Sequence, residues 1–247
     1  MKVLVPLFLS FMYPSLYAQE SSTADSQKLT KEANKEVAQP LGSSASARRA
    51  GSGGVEMGYG GVAGAISGTQ LHGYYAITSN LNVGLTYSSG EEDFKDELSN
   101  DVFFKKVHEA SASAEVAAIT ARYFFGNSFY VNGGLGQRKV SLALDVESEL
   151  LDYRARGKIE TNSVVALIGI GNQWQWDNGF SLGCEWIGAS IPLTSSNSGE
   201  YKELSRNGTA LADDSAEEAN DDISEVARDL GKATLGRALM LSAGWAF

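Results

Sequence analysis

At 247 residues the chain has room for one large domain or two small ones. Its 43% apolar content and 27 glycines exclude wholesale disorder and disfavour a helical bundle, while four prolines and ten tyrosines suit strands and turns. A formal charge of −10 argues against nucleic acid as a partner, because phosphates repel it, and a lone cysteine, Cys184, makes no internal disulfide and no cysteine-rich zinc site.

The chain opens MKVLVPLFLSFMYPSLYAQE. Basic Lys2, an apolar run from Val3 to Met12 and small Ala18 predict a secretory signal peptide over 1–18, cleaved on export. Residues 19–52 are polar and poor in aromatics, with Pro40 and a Gly/Ser/Ala run, and predict a flexible periplasmic tail. From Gly53 onward the character changes. Eight segments alternate at period two, at roughly 53–65, 69–78, 82–90, 110–125, 129–144, 157–176, 179–193 and 237–247. The first is the weakest, because GGVEMGYGGVAGA is so rich in glycine. The connections at 79–81, 126–128 and 177–178 are tiny and built from hairpin-turn residues. Those at 91–109, 146–156 and 194–236 are long. Short turns at one end and long loops at the other predict an up-and-down meander with two unlike ends.

Each segment has one apolar and one small or polar face. In the sixth, Val164, Ala166, Ile168, Ile170, Asn172, Trp174 and Trp176 oppose Ser163, Val165, Leu167, Gly169, Gly171, Gln173 and Gln175. In the seventh, Phe180, Leu182, Cys184 and Trp186 oppose Ser181, Gly183 and Glu185. A soluble barrel turns the apolar face inward and a membrane barrel turns it outward, and periodicity alone leaves both open. Three features select the membrane barrel. The aromatics Tyr123, Phe125, Phe129, Trp174, Trp176, Phe180, Trp245 and Phe247 gather beside the short turns, as a belt at headgroup level does. The opposite face carries small residues that suit a narrow interior. The two unlike ends match periplasmic turns and extracellular loops, and a closed barrel satisfies every backbone polar group in lipid. The predicted fold is an all-β, eight-stranded antiparallel up-and-down transmembrane β-barrel over 53–247, in the outer membrane of a Gram-negative-type bacterium.

Over 53–247 the chain resembles the small eight-stranded outer-membrane barrels of the OmpA, OmpX and OmpW type. Its ending, with Leu241, Ala243, Trp245 and Phe247 at alternate positions, resembles the C-terminal signal of such barrels. The resemblance implies that the outer-membrane assembly machinery reads this end, with terminal Phe as the signature residue. The N-terminal tail and the long last loop depart from the pattern.

Candidate chemistry is sparse. Arg122, Arg138 and Glu185 fall on the lumen face and predict a polar network there, with Arg122 and Glu185 coupled to plug the barrel. His72 is predicted to face the lumen and His108 to lie in the first long loop. His108, Glu109 and Ser111 supply residue types used by lipid-modifying barrels, but residue 110 is Ala, so the His-x-Ser spacing of lipid A deacylases is absent. The loop 194–236 carries ten acidic and four basic residues, and Ile223, Val226, Ala227 and Leu230 recur at helical spacing within it. The expected product is a non-enzymatic structural or surface-interaction protein with acidic extracellular loops, with no cofactor and no metal. Its expected partners are outer-membrane lipids, the assembly machinery and an unidentified extracellular ligand. The alternatives are a narrow conduit for small, apolar solutes and, more weakly, a lipid-modifying enzyme.

Overall fold

The computed structural model describes residues 44–48, 51–96, 104–148, 153–205 and 215–247. The predicted signal peptide and most of the predicted tail lie outside them. Eight strands, β1 (Gly53–Ala63), β2 (Ile66–Thr78), β3 (Leu81–Asp93), β4 (Phe104–Phe125), β5 (Phe129–Ser148), β6 (Tyr153–Gln175), β7 (Phe180–Ser205) and β8 (Leu235–Ala246), close into one antiparallel barrel in chain order. Helix α1 (Ser44–Ala47) precedes them, and α2 (Ser215–Lys232) lies between β7 and β8. β8 closes the ring on β1, pairing Val55 with Trp245 and Tyr59 with Leu241. Phe247 extends the seam by exchanging backbone hydrogen bonds with Gly53, at 2.8 and 3.0 Å.

The strands fall into two groups. β1, β2, β3 and β8 have 11 to 13 residues, close to what a bilayer crossing needs. β4 to β7 have 20 to 26 and rise roughly 30 Å further along the strand direction. The predicted loops 91–109, 146–156 and 194–236 are therefore partly strand: β4 begins at Phe104, β7 runs on to Ser205, and α2 takes much of the third. The period-two signal fades there because the outward face no longer carries apolar side chains.

Burial follows the alternation. Outward positions are exposed and apolar: Leu71, Val83, Leu85, Ile119, Leu135, Ile168, Leu182 and Leu241. Inward positions of the same strands are buried and polar: Gln70, His72, Thr86, Thr120, Arg122, Asn132, Gln173 and Ser181. That is the polarity of a transmembrane barrel. Above this zone the polarity reverses. Val107, Ala110, Leu144, Val146, Ala155 and Tyr201 form a buried inner cluster, and the outer face carries Glu109, Arg156, Lys158 and Lys202.

Of several bulges, two set the alternation beside the interior charges. In β7 the pairing skips Trp186, so Trp186 and Ile187 both face out. In β8 it skips Leu239, which has φ near +50°, in the left-handed region that a bulky residue rarely adopts. Below Leu239 the even residues point inward, and above it the odd ones do.

Candidate functional site

The lower half of the barrel interior is polar and tightly paired. Arg122 on β4 donates to Glu56 on β1 at 2.6 Å, and both side chains are almost fully buried. Gln173 on β6 donates to the other Glu56 oxygen at 2.5 Å, and Ser181 on β7 approaches it at 3.4 Å. The Arg122 guanidinium also stands 5.0 Å from the Tyr130 ring centre. Beside this group, Arg237 on β8 donates to Glu185 on β7 at 2.6 Å, and Asn132 reaches the second Glu185 oxygen at 3.4 Å. Arg122 and Glu185, predicted to share one polar network, do not pair directly: each sits in its own ion pair, and the two pairs lie side by side in one polar layer. Arg122 and Glu185 each have a closer partner, supplied by a strand whose facing the sequence obscures. Glu56 sits in glycine-rich β1. Strict alternation from Leu241 turns Arg237 toward lipid, and the Leu239 bulge returns it to the interior. A charge on a nominal lipid face is itself the signal that could have revealed that bulge.

The bulges serve the pair directly. A Cβ added at Gly188 would stand 2.6 Å from Glu185 Oε1 and 3.1 Å from Arg237, so the glycine leaves room for the ion pair. His72 lies in the same layer, on the lumen side as expected, with Nδ1 2.9 Å from the Thr86 hydroxyl and its ring stacked on Tyr74 at 5.6 Å.

The short-turn end is stoppered. Residues 44–48 do not behave as free tail: Ser44, Ala47 and Arg48 are buried. Arg48 donates to the carbonyls of Ser79 at 3.0 Å, Asn127 at 2.6 Å and Gly126 at 3.1 Å, binding two short turns together. Its guanidinium sits 4.0 Å over the Phe124 ring, and Phe124 meets Tyr130 edge-on at 5.7 Å. Gln175 donates its side-chain amide to Ala47 O and its backbone N–H to Ser44 Oγ, both at 3.2 Å. A Ser/Ala-rich sequence looks like a linker, but orphaned turn carbonyls give Arg48 a seat that composition does not disclose.

The outer end is closed by α2. The predicted helical stripe is present, and its deepest members, Ala227 and Leu230, enter an apolar layer made by Val62, Ile66, Val116, Val140, Ile159, Val165, Leu167 and Leu235. The helix leans on the inner face of β6 and β7, where Gly199 admits it: a Cβ there would stand 2.6 Å from Ile223 Cγ2. Asn220 accepts the Tyr201 backbone N–H at 2.7 Å. Arg138 holds the lower end of α2. It donates to Ala233 O at 3.0 Å and Gly231 O at 3.4 Å, and to Ser190 Oγ at 2.9 Å. Ser163 adds a 2.9 Å bond to Gly231 O. Among the described residues no carboxylate pairs with Arg138. Its counter-charge is the negative end of the helix dipole and the helix's unpaired terminal carbonyls. Arg138 therefore stands apart from the Arg122 and Glu185 pairs.

On the outer surface Tyr123, Phe125, Phe129, Trp176, Trp245 and Phe247 are exposed, and Trp174 and Phe180 are half-buried on the same side. Their rings form chains: Tyr123 to Phe125 at 4.8 Å, Phe125 to Phe129 at 6.2 Å, Trp176 to Phe180 at 5.4 Å and Phe180 to Trp245 at 6.1 Å. Leu241 and Ala243 face outward with Trp245, and Phe247 is 80% exposed. High on the long strands, Arg154 and Arg156 clamp Asp145 at 2.5 to 2.9 Å. Burial raises the Asp145 pKa, and the two guanidinium groups more than offset this, holding it below the usual carboxylate range. His108, expected in a loop, lies in β4 with Nε2 3.8 Å from Glu147 Oε2.

No protein-family model matches the chain, and no curated protein does. Among solved structures the fold is similar to a major outer membrane protein from Thermus thermophilus, at 15% identity and TM-score 0.48, covering 79% of this chain and 98% of that one. It is similar to CarO2 of Acinetobacter baumannii at 14% identity and TM-score 0.45, covering 79% and 98%. It is also similar to Ail, the attachment invasion locus protein of Yersinia pestis, at 12% identity and TM-score 0.42, covering 80% and 99%. At these identities the likeness is one of fold.

Proposed function

We propose that the chain is an integral outer-membrane barrel that displays a rigid, one-sided surface platform and does not conduct solutes. The observation that carries this reading is the reversal of polarity along β4 to β7. Apolar side chains face out and polar ones face in over the lower zone, and above it the order is inverted. Only a change of solvent around the barrel accounts for both halves. Hydrocarbon surrounds the lower half and water the upper.

The platform reading rests on the filled interior. Arg48 closes the lower mouth, two ion pairs occupy the middle, and α2 caps the upper apolar layer. Eight strands leave an interior narrow enough for side chains to fill. The wall above the membrane presents paired charges, Lys158 with Glu160 and Lys202 with Glu200. The outer side of α2 presents Asp221, Asp222, Glu225 and Asp229. Such a surface suits recognition of an extracellular partner, and the outward row ending at Trp245 and Phe247 suits reading by the assembly machinery.

The test is membrane fractionation together with gel migration before and after boiling. The full chain is expected in the outer-membrane fraction, with a compact fast-migrating form that boiling slows. A soluble periplasmic product would overturn the reading.

A further inference from the structure

The turns at the lower mouth form a cradle of acceptors around one side chain. Arg48 directs its three guanidinium nitrogens to three different carbonyls, those of Ser79, Asn127 and Gly126, which belong to the β2–β3 and β4–β5 turns. Its central carbon stands 4.0 Å from the centre of the Phe124 ring. Among the described residues no carboxylate pairs with it.

The cradle is built without its occupant. The Phe124 N–H donates to Asn80 O at 2.8 Å and so holds the two turns side by side. Gly126 takes φ +67°, in the left-handed region, and reverses the chain there. Ser128 O accepts the Gln173 N–H at 2.8 Å, which ties the same turn to β6. Phe124 lies edge-on to Tyr130, and Arg122 stands over Tyr130 in turn, so the ring is braced by the ion-pair layer above. None of these contacts uses residues 44–48.

The shape of the cradle is selective. It asks for several N–H groups spread in one plane and for a flat face to lie on a ring, and a guanidinium offers both at once. An ammonium is a compact, strongly hydrated point charge with no flat face. The acceptors are neutral carbonyls, so the geometry of the donor decides the fit.

We propose that the short-turn mouth is a preformed guanidinium-binding site and that Arg48 is its built-in ligand. The ligand is tethered through Gly51, whose N–H donates to Ala76 O at 2.7 Å. With the cis arginine removed, the site admits a free guanidinium group, such as the arginine side chain of a peptide on that side of the barrel. The lower closure is thus an occupied binding site.

The experiment is chemical rescue of Arg48→Ala, using the full chain folded in detergent micelles. Hydrogen exchange in the turns at 79–81 and 126–128 is compared at one pH, with methylguanidinium or methylammonium at equal millimolar concentration. Arg48→Ala is expected to speed exchange in both turns about tenfold, the scale of one hydrogen bond to a charged group. Methylguanidinium should restore most of the protection, methylammonium should not, and neither should alter the wild type. Arg48→Lys without added ligand should resemble Arg48→Ala. Unchanged exchange in Arg48→Ala, no rescue by methylguanidinium, equal rescue by the two ions, or wild-type protection in Arg48→Lys would each overturn the proposal. Where Arg48→Ala fails to form the compact species on unboiled gels, refolding yield becomes the readout. A yield restored by methylguanidinium alone supports the site, and any other pattern overturns it.

Discussion

The four long strands bury opposite kinds of side chain at their two ends. Near the short turns, β4 to β7 turn Thr120, Arg122, Asn132, Gln173 and Glu185 inward, and the enclosed space is held by two ion pairs. Near the long connections they turn Ala112, Ala114, Val140, Leu142 and Ile159 inward, and the space is held by packing against α2. The lower interior lies behind a hydrocarbon-facing wall, so no water outside favours an apolar inside, and polarity is tolerated wherever every group finds a partner. The upper interior lies behind a water-facing wall and obeys the ordinary hydrophobic effect. One set of strands therefore contains a membrane protein and the core of a soluble one, joined near the row of Tyr87, Ala117 and Gln137 across β3 to β5.

The contrast predicts different failures. The largest should come from the lower layer. Glu56→Ala leaves Arg122 buried beside neutral Gln173 and should cost about 3–5 kcal/mol of barrel stability. Replacing Glu56 and Arg122 together with apolar residues of similar volume should recover most of that loss. Urea unfolding of the micelle-bound barrel measures both, and a loss well under about 1 kcal/mol for Glu56→Ala would remove the ion pair from its central place. Glu185→Gln, which keeps hydrogen bonding to Arg237 and Asn132, should cost less than Glu56→Ala but more than nothing.

Damage to the upper layer should be smaller and local. Leu230→Ala removes a buried anchor of α2 and should weaken helix docking by about 2–3 kcal/mol. It should be read as faster hydrogen exchange and proteolysis within 215–232, while the barrel's urea midpoint stays in place. Equal exchange in variant and wild type would mean that the apolar face does not seat the helix.

The smallest effect should be acid-dependent and confined to the rim. Since the folded Asp145 carboxyl titrates below its unfolded value, its contribution is complete above about pH 4. It is lost as the pH falls through the folded value. Protection of the upper β5–β6 hairpin from hydrogen exchange, relative to the intrinsic rate at each pH, should fall as the pH drops below about 4, and Asp145→Asn should abolish that pH dependence. A pH response unchanged in Asp145→Asn would assign it to other carboxylates.

These two halves also differ in how far the sequence discloses them. The lower strands are legible because lipid on one side and a crowded lumen on the other force clean alternation, as in Phe180, Leu182, Cys184 and Trp186 against Ser181, Gly183 and Glu185. The upper strands are not, because water outside accepts Ser, Lys and Glu as readily as a loop does. The α2 stripe is visible in Ile223, Val226, Ala227 and Leu230, but nothing in its spacing says that it descends into the barrel. Arg122, Arg138 and Glu185 are rightly on the lumen side, whereas their partners are hidden. Glu56 lies in a glycine-rich run, Arg237 beyond a bulge, and the α2 carbonyls that hold Arg138 carry no side-chain signature. Arg48 escapes for the same reason, since its acceptors are backbone groups of turns far away in the chain.

The central claim is a barrel closed from end to end, and planar-bilayer recording of the folded wild-type chain tests it most directly. A filled interior predicts a flat baseline at both polarities, with no reproducible single-channel steps. Reproducible steps of constant size from the wild type would contradict the closed platform and favour a conduit.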